Sequence, residues 1–283
     1  MSLLARLVFV LLLVAQDAAA EVVRFPRPEF AGDQRSDYSM QLLQLALSKL
    51  GPDYRVELAE TPINQDRQVA ELEAGRLIDV APMPSSAERE ARLLAVRIPI
   101  NKGVLGLRLG LIRKGDAARF ADVKTLDDLK QVHLAQGEEW PDVEVLRANG
   151  VPVITATSYE GLFKMLAAER FDYFPRSALE IWDEQARNAD TLEIEPHIAL
   201  HYYHYDAYYM VNRNNTRLAE IIRQGLEKAI ADGSADRLFD QHYGERLRQA
   251  HLDKRVVIKL KNPLLTPGTP VDRPELWYDF SGK

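Results

Sequence analysis

Alternating strand and helix patterns, repeated twice along the chain, constrain its fold more than any other feature. The first series begins with the strand pattern EVVRFP at 21–26, and an amphipathic helix pattern follows at 37–51. The second series begins with a helix pattern at Thr125, which we expect to be an N-cap, and a strand pattern follows at 133–137. Strands that alternate with helices are typical of α/β units with largely parallel sheets. The predicted fold class is therefore α/β.

Two stretches that lack helix periodicity separate the series and indicate two lobes. We predict extended crossings between the lobes at 101–106 and 203–207, in a strand-rich stretch and in the aromatic run HYYHYDAYY. A ligand would lie in the cleft between the lobes, beyond the carboxyl ends of the strands.

The predicted division of the chain follows from these crossings. Residues 21–104 form the first part of lobe 1, residues 105–205 form lobe 2, and residues 206–283 form the second part of lobe 1 with a C-terminal extension. Two helix patterns at 216–244 would return to the first lobe. The proline-rich tail after them is expected to wrap over the surface.

Residues 1–20 have the pattern of a secretory signal peptide. Arg6 precedes an apolar run from Leu7 to Ala15, and small residues at 18–20 provide a cleavage site after Ala20. The apolar run is shorter than the ~20 residues that span a bilayer. We therefore expect an exported protein, soluble in the periplasm when mature. An uncleaved membrane anchor is the competing interpretation.

Composition excludes several classes of function. The chain has 283 residues and a formal net charge of −6, so its charge does not favour binding to nucleic acid or anionic membranes. It has no cysteine, which removes disulfides, thiolate metal sites and cysteine nucleophiles. We also find no G-x-S-x-G, H-E-x-x-H or G-x-x-x-x-G-K-[ST] motif.

Four segments, taken in order, resemble landmarks of one protein family. They are LEAGRLIDV at 72–80, SAER at 86–89, TLDDLKQVHLAQG at 125–137 and LAAERFDYF at 166–174. Together they resemble the bacterial solute-binding proteins that include the polar amino-acid receptors of ABC transporters. The resemblance implies a two-lobed, Venus-flytrap fold that closes on a small ligand without chemistry or a cofactor. It also implies a monomer that works with a membrane permease or a sensor.

The resemblance gives Arg89 a role in ligand binding. In the family, the arginine of this turn pairs with the α-carboxylate of the ligand. A guanidinium makes a planar, bidentate pair with a carboxylate. Ser85 and Ser86 would add hydroxyl donors. The alternative is an Arg89 that is solvated on the first turn of a helix, where a cation opposes the helix dipole.

The second lobe departs from the family pattern. The family has an aspartate that binds the α-ammonium of the ligand, and the matching position here is Ser177. Glu180 is a substitute acid one turn further on. Alternatively, Arg176 faces the cleft and forms a two-arginine clamp with Arg89 around an anion. Such a clamp would leave the amine of a ligand without a partner, and burying an unpaired charge is costly. An ordinary α-amino acid is therefore disfavoured as the ligand.

Other candidate ligand contacts are polar groups and aromatic residues at predicted strand ends. They are Gln136, Gly137, Ser158, Tyr159, Phe25, Phe30 and Phe174. Ser158 is also expected to cap a helix, and Trp140 is expected in the core. In HYYHYDAYY at 201–209, alternation would place His201, Tyr203 and Tyr205 on one face. A His–Asp metal site is conceivable in this run, but a hinge strand that exposes aromatic residues to the cleft is favoured.

The sequence therefore predicts a solute-binding protein for an ABC-type transporter, and not an enzyme. It predicts a small polar ligand that carries a carboxylate. The first alternative is a periplasmic sensing or accessory module that is not coupled to transport. The second is a lyase-type enzyme on the same fold.

Overall fold

The computed structural model describes residues 20–28, 36–51 and 54–280. The strands are β1 Glu21–Arg27, β2 Tyr54–Pro62, β3 Val80–Pro84, β4 Leu93–Val96, β5 Leu107–Arg113, β6 Leu134–Gly137, β7 Val153–Ala156, β8 Phe174–Ser177, β9 Leu192–Ile194, β10 Ile198–Tyr202, β11 Ala207–Asn212 and β12 Val256–Leu260. The helices are α1 Asp37–Ser48, α2 Gln65–Ala74, α3 Ala87–Arg92, α4 Leu126–Leu129, α5 Pro141–Ala148, α6 Tyr159–Ala167, α7 Ile181–Arg187, α8 Thr216–Ala231 and α9 Ser234–Gln249. The expected signal peptide lies outside the described residues, apart from Ala20.

The first lobe contains two small sheets and the helices packed on them. β1 pairs with β2 in parallel, and β11 lies between β3 and β4, antiparallel to both. The buried face of α1 packs against α8, as its apolar spacing predicts. Gly225 of α8 is necessary for this contact, since a Cβ atom there would lie 2.1 Å from the Ala46 carbonyl oxygen.

The second lobe is built on β5. β5 pairs antiparallel with β8, β9 and β10. β6 and β7 pair in parallel, and a bridge from Leu134 to Tyr173 joins β6 to the segment just before β8. The strand β9 was absent from the sequence prediction. Helix caps were predicted more accurately, since Thr125 forms a full capping box with Asp128 and Ser158 caps α6.

The chain passes between the two sets of sheets at 97–106 and again at 203–206, and a single buried carboxylate joins these crossings. Asp206 accepts hydrogen bonds from the backbone N–H of Asn101 at 3.0 Å, Gly103 at 2.6 Å and Ala207 at 2.7 Å. It also accepts from the Asn101 side chain at 2.9 Å. Burial raises the pKa of Asp206 to about 6, although these hydrogen bonds act in the opposite direction.

The continuous alternation predicted for HYYHYDAYY is wrong. β10 ends at Tyr202, the chain turns at Tyr203 and His204, and β11 begins at Ala207. His204 has a φ of 51°, in the left-handed region that breaks a strand. The run is therefore the second crossing with two flanking strands.

The C-terminal tail contributes a strand to the second lobe. β12 pairs in parallel with β10, from Ile198 opposite Val256 to Tyr202 opposite Leu260. The assignment of all of 206–283 to the first lobe is therefore wrong for this strand. Its alternating apolar residues bury Ile258 and Leu260 against the edge of the second sheet. The remaining lobe bounds stay a prediction.

Candidate functional site

The serine turn of the first lobe is held by its own hydrogen bonds. Ser86 is the N-cap of α3 and accepts from the backbone N–H of Arg89 at 3.2 Å. The Arg89 guanidinium donates to the Pro84 carbonyl oxygen at 2.8 Å. Ser85 donates to the Glu90 carboxylate, which also pairs with Arg97. The turn therefore fixes the position of the Arg89 side chain beside β3.

Arg176, on β8 of the second lobe, is occupied by two carboxylates. Its Nε lies 2.8 Å from one oxygen of Glu184, and its Nη2 lies 2.7 Å from the other oxygen of Glu184 and 2.9 Å from Glu180. The residue is buried, with 6 % of its surface exposed. Burial alone lowers the pKa of Arg176, but the charges of Glu184 and Glu180 outweigh burial and raise it. Burial alone would raise the pKa of Glu184, but the charge of Arg176 holds that pKa below its usual value.

Aromatic rings enclose the Arg176 guanidinium. The centroids of Trp140, Phe174 and Tyr159 lie 4.6, 5.2 and 5.6 Å from its central carbon. Tyr159 also donates its hydroxyl hydrogen to Glu184 at 2.8 Å. In this conformation Arg176 is thus satisfied inside its own lobe, and the two-arginine clamp lacks its expected second cation.

A second ion pair, which the sequence analysis missed, lies beside Ser177. Arg108 of β5 is directly opposite Ser177 of β8, so their side chains share a face of the sheet, whereas Arg176 points to the other face. Arg108 contacts Asp142 of α5 at 3.0 Å, and both are buried. Gln136 donates to Asp142 at 3.4 Å and to the Pro175 carbonyl at 2.9 Å.

The pKa of Tyr205, in the second crossing, responds to charged groups from both lobes. Burial raises the pKa of its phenol, and the Asp142 charge raises it further. The charges of Arg108 and Arg89 lower it, and that of Glu180 raises it. Charges from the first lobe and from the second lobe therefore both act on Tyr205. The ring of Tyr205 also lies 5.5 Å from the Arg108 guanidinium.

Three of the polar atoms near the Arg108–Asp142 pair have no hydrogen-bond partner among the described residues. They are the Arg108 Nε, the Gln136 Oε1 and the Tyr202 hydroxyl. Each is buried, so each lacks compensation for its lost hydration. The surroundings of the Arg108–Asp142 pair are consequently more polar than a hydrophobic core tolerates.

Several residues that were predicted to contact the ligand are buried in the core, cap a helix or pack against a neighbouring ring. Phe25 is a fully buried core residue of β1, and Phe174 is buried in the second lobe. Ser158 is exposed and accepts from the Gly161 N–H as a helix cap. Gly137 leaves room for Trp140, whose ring would lie 2.5 Å from a Cβ atom at that position. Phe30 lies outside the described residues.

The missed residues left different traces in the sequence. Glu184, which the sequence analysis missed, lies four residues after Glu180 and eight after Arg176, both of which it named, and this spacing favours ion pairs along a helix. This signal was available, although Arg176 itself is on the strand before α7. Arg108 and Asp142 are on β5 and α5, and no local pattern links them. Among the described residues, no group of three His, Cys, Asp or Glu side chains is arranged to hold a metal ion.

Comparison with known proteins identifies the fold. A probable amino-acid ABC-transporter extracellular-binding protein of Bacillus subtilis superposes with a TM-score of 0.57 at 18% identity, over 80% of this chain and 99% of that one. An ancestral arginine-binding protein bound to glutamine gives 0.57 at 20% identity, over 79% and 98%. An ancestral amino-acid-binding protein described as a precursor of cyclohexadienyl dehydratase gives 0.55 at 15% identity, over 78% and 95%.

The chain therefore has the two-lobed fold of amino-acid-binding proteins. No family model and no curated protein sequence matches it. In the described part of the chain, no helix combines the length and the apolar character that crossing a bilayer requires.

Proposed function

We propose that this chain is an exported solute-binding protein that captures a small carboxylate-bearing ligand by cleft closure. The observation that carries the proposal is the buried Arg108–Asp142 pair of the second lobe, beside which the Arg108 Nε and the Gln136 Oε1 have no hydrogen-bond partner among the described residues. The Arg108 guanidinium lies 5.5 Å from the ring of Tyr205, whose phenol also feels the charge of Arg89 from the first lobe. A ligand held there contacts both lobes. Contacts that form only in the closed arrangement shift the population toward closure.

In this proposal Arg89 binds the carboxylate of the ligand. Its turn is fixed by the Ser86 cap and the Pro84 carbonyl, so little side-chain entropy is lost when the ligand binds. A guanidinium is suited to a planar, two-pronged contact with a carboxylate. Ser85 and Ser86 contribute by positioning this turn.

The second lobe can accommodate an amine as well as a carboxylate. Its described ion pairs contain the guanidiniums of Arg108 and Arg176 and the carboxylates of Asp142, Glu180 and Glu184, one more carboxylate than guanidinium. Glu180 is the most exposed of the three acids, with 27% of its side chain accessible. It is the group we assign to a ligand ammonium, in place of the acid missing at Ser177. This removes the argument against an α-amino acid ligand.

The test is a calorimetric titration with matched pairs of compounds, such as L-glutamate beside glutarate, which lacks the amino group. The proposal predicts saturable binding of at least one carboxylate compound by the chain from residue 21. Arg89→Ala should abolish that binding. Arg92→Ala is the matched control, because Arg92 is on the same helix but pairs with Glu73 at the surface.

Two results would contradict the proposal. One is equal affinity of Arg89→Ala and the parent protein for the bound compound. The other is the absence of binding across L-amino acids and dicarboxylates. A preference for the amine-bearing member of a pair that Glu180→Gln removes would support the assignment of Glu180.

Delivery to an ABC-type permease is the favoured role after capture, since the fold is that of extracellular binding proteins of ABC transporters. The signal-peptide pattern of residues 1–20 supports export to the periplasm. A pull-down of membrane components by the ligand-loaded protein tests this role. A sensing or accessory module is the alternative, and it predicts capture of a receptor domain instead of a permease.

A lyase is the second candidate function, because one similar structure is a precursor of a dehydratase. On this chain, loss of water from a bound substrate would need a group that accepts a proton, and Glu180 is the most exposed carboxylate of the described cluster. Nuclear magnetic resonance spectra of a bound compound before and after incubation distinguish the two functions. Unchanged spectra support binding alone.

A further inference from the structure

The C-terminal tail touches both lobes and both crossings. It begins with β12 on the second lobe, where Lys261 and Asn149 exchange two hydrogen bonds of 2.9 and 2.7 Å. It then reaches the first lobe at Thr266. The chain from Lys261 to Thr266 is thus a third covalent connection between the lobes, added to the two crossings at 97–106 and 203–206.

The anchor on the first lobe is buried and polar. Thr266 donates to Glu90 at 3.0 Å and accepts from Arg97 at 3.0 Å. Gly268 lies against the Arg97 guanidinium, where a Cβ atom would be 2.2 Å from its central carbon. A second anchor follows at Arg273, which binds Glu227 of α8 at 2.7 and 3.0 Å.

The end of the tail covers the crossings. Trp277 packs on Gly103, where a Cβ atom would lie 2.8 Å from the indole ring, and its ring centroid is 4.6 Å from that of His204. The Tyr278 N–H donates to the Lys102 carbonyl at 2.7 Å. Phe280 lies 4.6 Å from the His201 ring.

We propose that residues 261–280 form a strap that limits how far the two lobes separate. Five residue steps join Lys261 to Thr266, and an extended chain spans at most ~3.6 Å per residue. Lys261 and Thr266 therefore cannot move more than about 18 Å apart while the hydrogen bonds at both residues remain intact. Contacts of Trp277 and Tyr278 with the first crossing further resist rotation there.

The strap also reaches the candidate ligand turn. Glu90, which binds Thr266, accepts a hydrogen bond from Ser85 as well. The first-lobe anchor of the strap and the turn that positions Arg89 therefore share the Glu90 carboxylate. When the lobes open less widely, the open states differ less from the closed state, and less conformational change accompanies ligand binding.

The test is a distance measurement between two spin labels in the protein without added ligand. The chain has no cysteine, so Glu88→Cys on the first lobe and Asp127→Cys on the second give a unique label pair. Both native side chains are more than four-fifths exposed. Inserting Gly-Ser-Gly-Ser between Leu264 and Leu265 lengthens the strap by up to ~14 Å and keeps both anchors.

The strap predicts that this insertion broadens the label distances and extends them to longer values. The same insertion after the exposed Gly115 is the matched control and should leave the distances unchanged. Trp277→Ala should act in the same direction as the strap insertion. The proposal is overturned if the strap insertion leaves the parental distribution, or if the control insertion broadens it equally. No ligand is used, so the result does not depend on the proposed function.

Discussion

Buried carboxylates join separate helices, strands and crossings of this chain. Asp206 joins the two crossings, Asp142 joins α5 to β5, and Glu184 joins α7 to β8. A buried charge that loses its partner costs far more than a surface ion pair is worth. The consequences of substitution should therefore differ strongly between these residues and exposed acids.

Glu184→Gln should destabilise the protein by about 3–5 kcal/mol. The substitution leaves the Arg176 guanidinium, buried among three aromatic rings, with only Glu180 as a charged partner. Urea denaturation measures the change in free energy of unfolding. Glu160→Gln on the exposed face of α6 is the control and should have no measurable effect. A loss below about 1 kcal/mol would show that the buried pair contributes little.

At the scale of elements, β10 is the strand on which pH should act. It lies between β5 and β12, and its His201 is covered by Phe280 of the tail. Burial, together with the charges of Lys259 and His204, lowers the pKa of His201 to about 4. The folded protein therefore keeps His201 neutral at pH values where the unfolded chain takes up a proton.

Stability should fall as the pH decreases from about 6.5 to 4 through this histidine. A depressed histidine pKa means that the unfolded chain binds more protons in this window, which favours unfolding. At about 1.4 kcal/mol per pKa unit, a pKa lowered from 6.5 to about 4 sets an upper bound of about 3.5 kcal/mol on the loss. The measurement compares urea denaturation of the parent and His201→Gln at several pH values. Parallel curves would show that His201 does not contribute.

Local sequence predicted most elements because their signals are local. The caps at Thr125 and Ser158 act within one turn of a helix, and the apolar periodicity of α8 is contained in the helix itself. β12 was missed because its partner is β10, and nothing near Val256 indicates that pairing. The Arg108–Asp142 pair was missed for the same reason. Arg89 and its turn were found through the family resemblance, and their contact with a ligand stays a prediction.

For the whole molecule, the Asp206 carboxylate is the group that holds both crossings in one arrangement. Asp206→Asn keeps the shape but replaces one acceptor oxygen by an amide donor, and above pH 6 it also removes the negative charge. The hydrogen bonds that the backbone N–H groups of Asn101 and Gly103 donate to residue 206 would then be weakened or lost. A buried donor without a partner costs about 1–3 kcal/mol, so we expect a loss of that size at pH 5 in urea denaturation.

The same variant should change the pH dependence in the opposite sense to His201. Because the pKa of Asp206 is about 6 in the folded protein, the folded state holds more protons than the unfolded state between pH 4 and 6. The parent therefore loses this contribution as the pH rises to 6, and Asp206→Asn does not. Asp236→Asn, an exposed acid that pairs with Lys102, is the control. Equal slopes for Asp206→Asn and the parent would contradict the assignment.

The pairing of β12 with β10 has a consequence for synthesis. Residues 203–255 must leave the ribosome before the partner of β10 becomes available, so the second sheet stays incomplete until nearly the whole chain has been made. Until then one side of β10 presents unpaired N–H and C=O groups, which are a template for association with other chains. A fragment that ends before residue 256 has this open edge permanently, and we expect it to aggregate where the full chain does not.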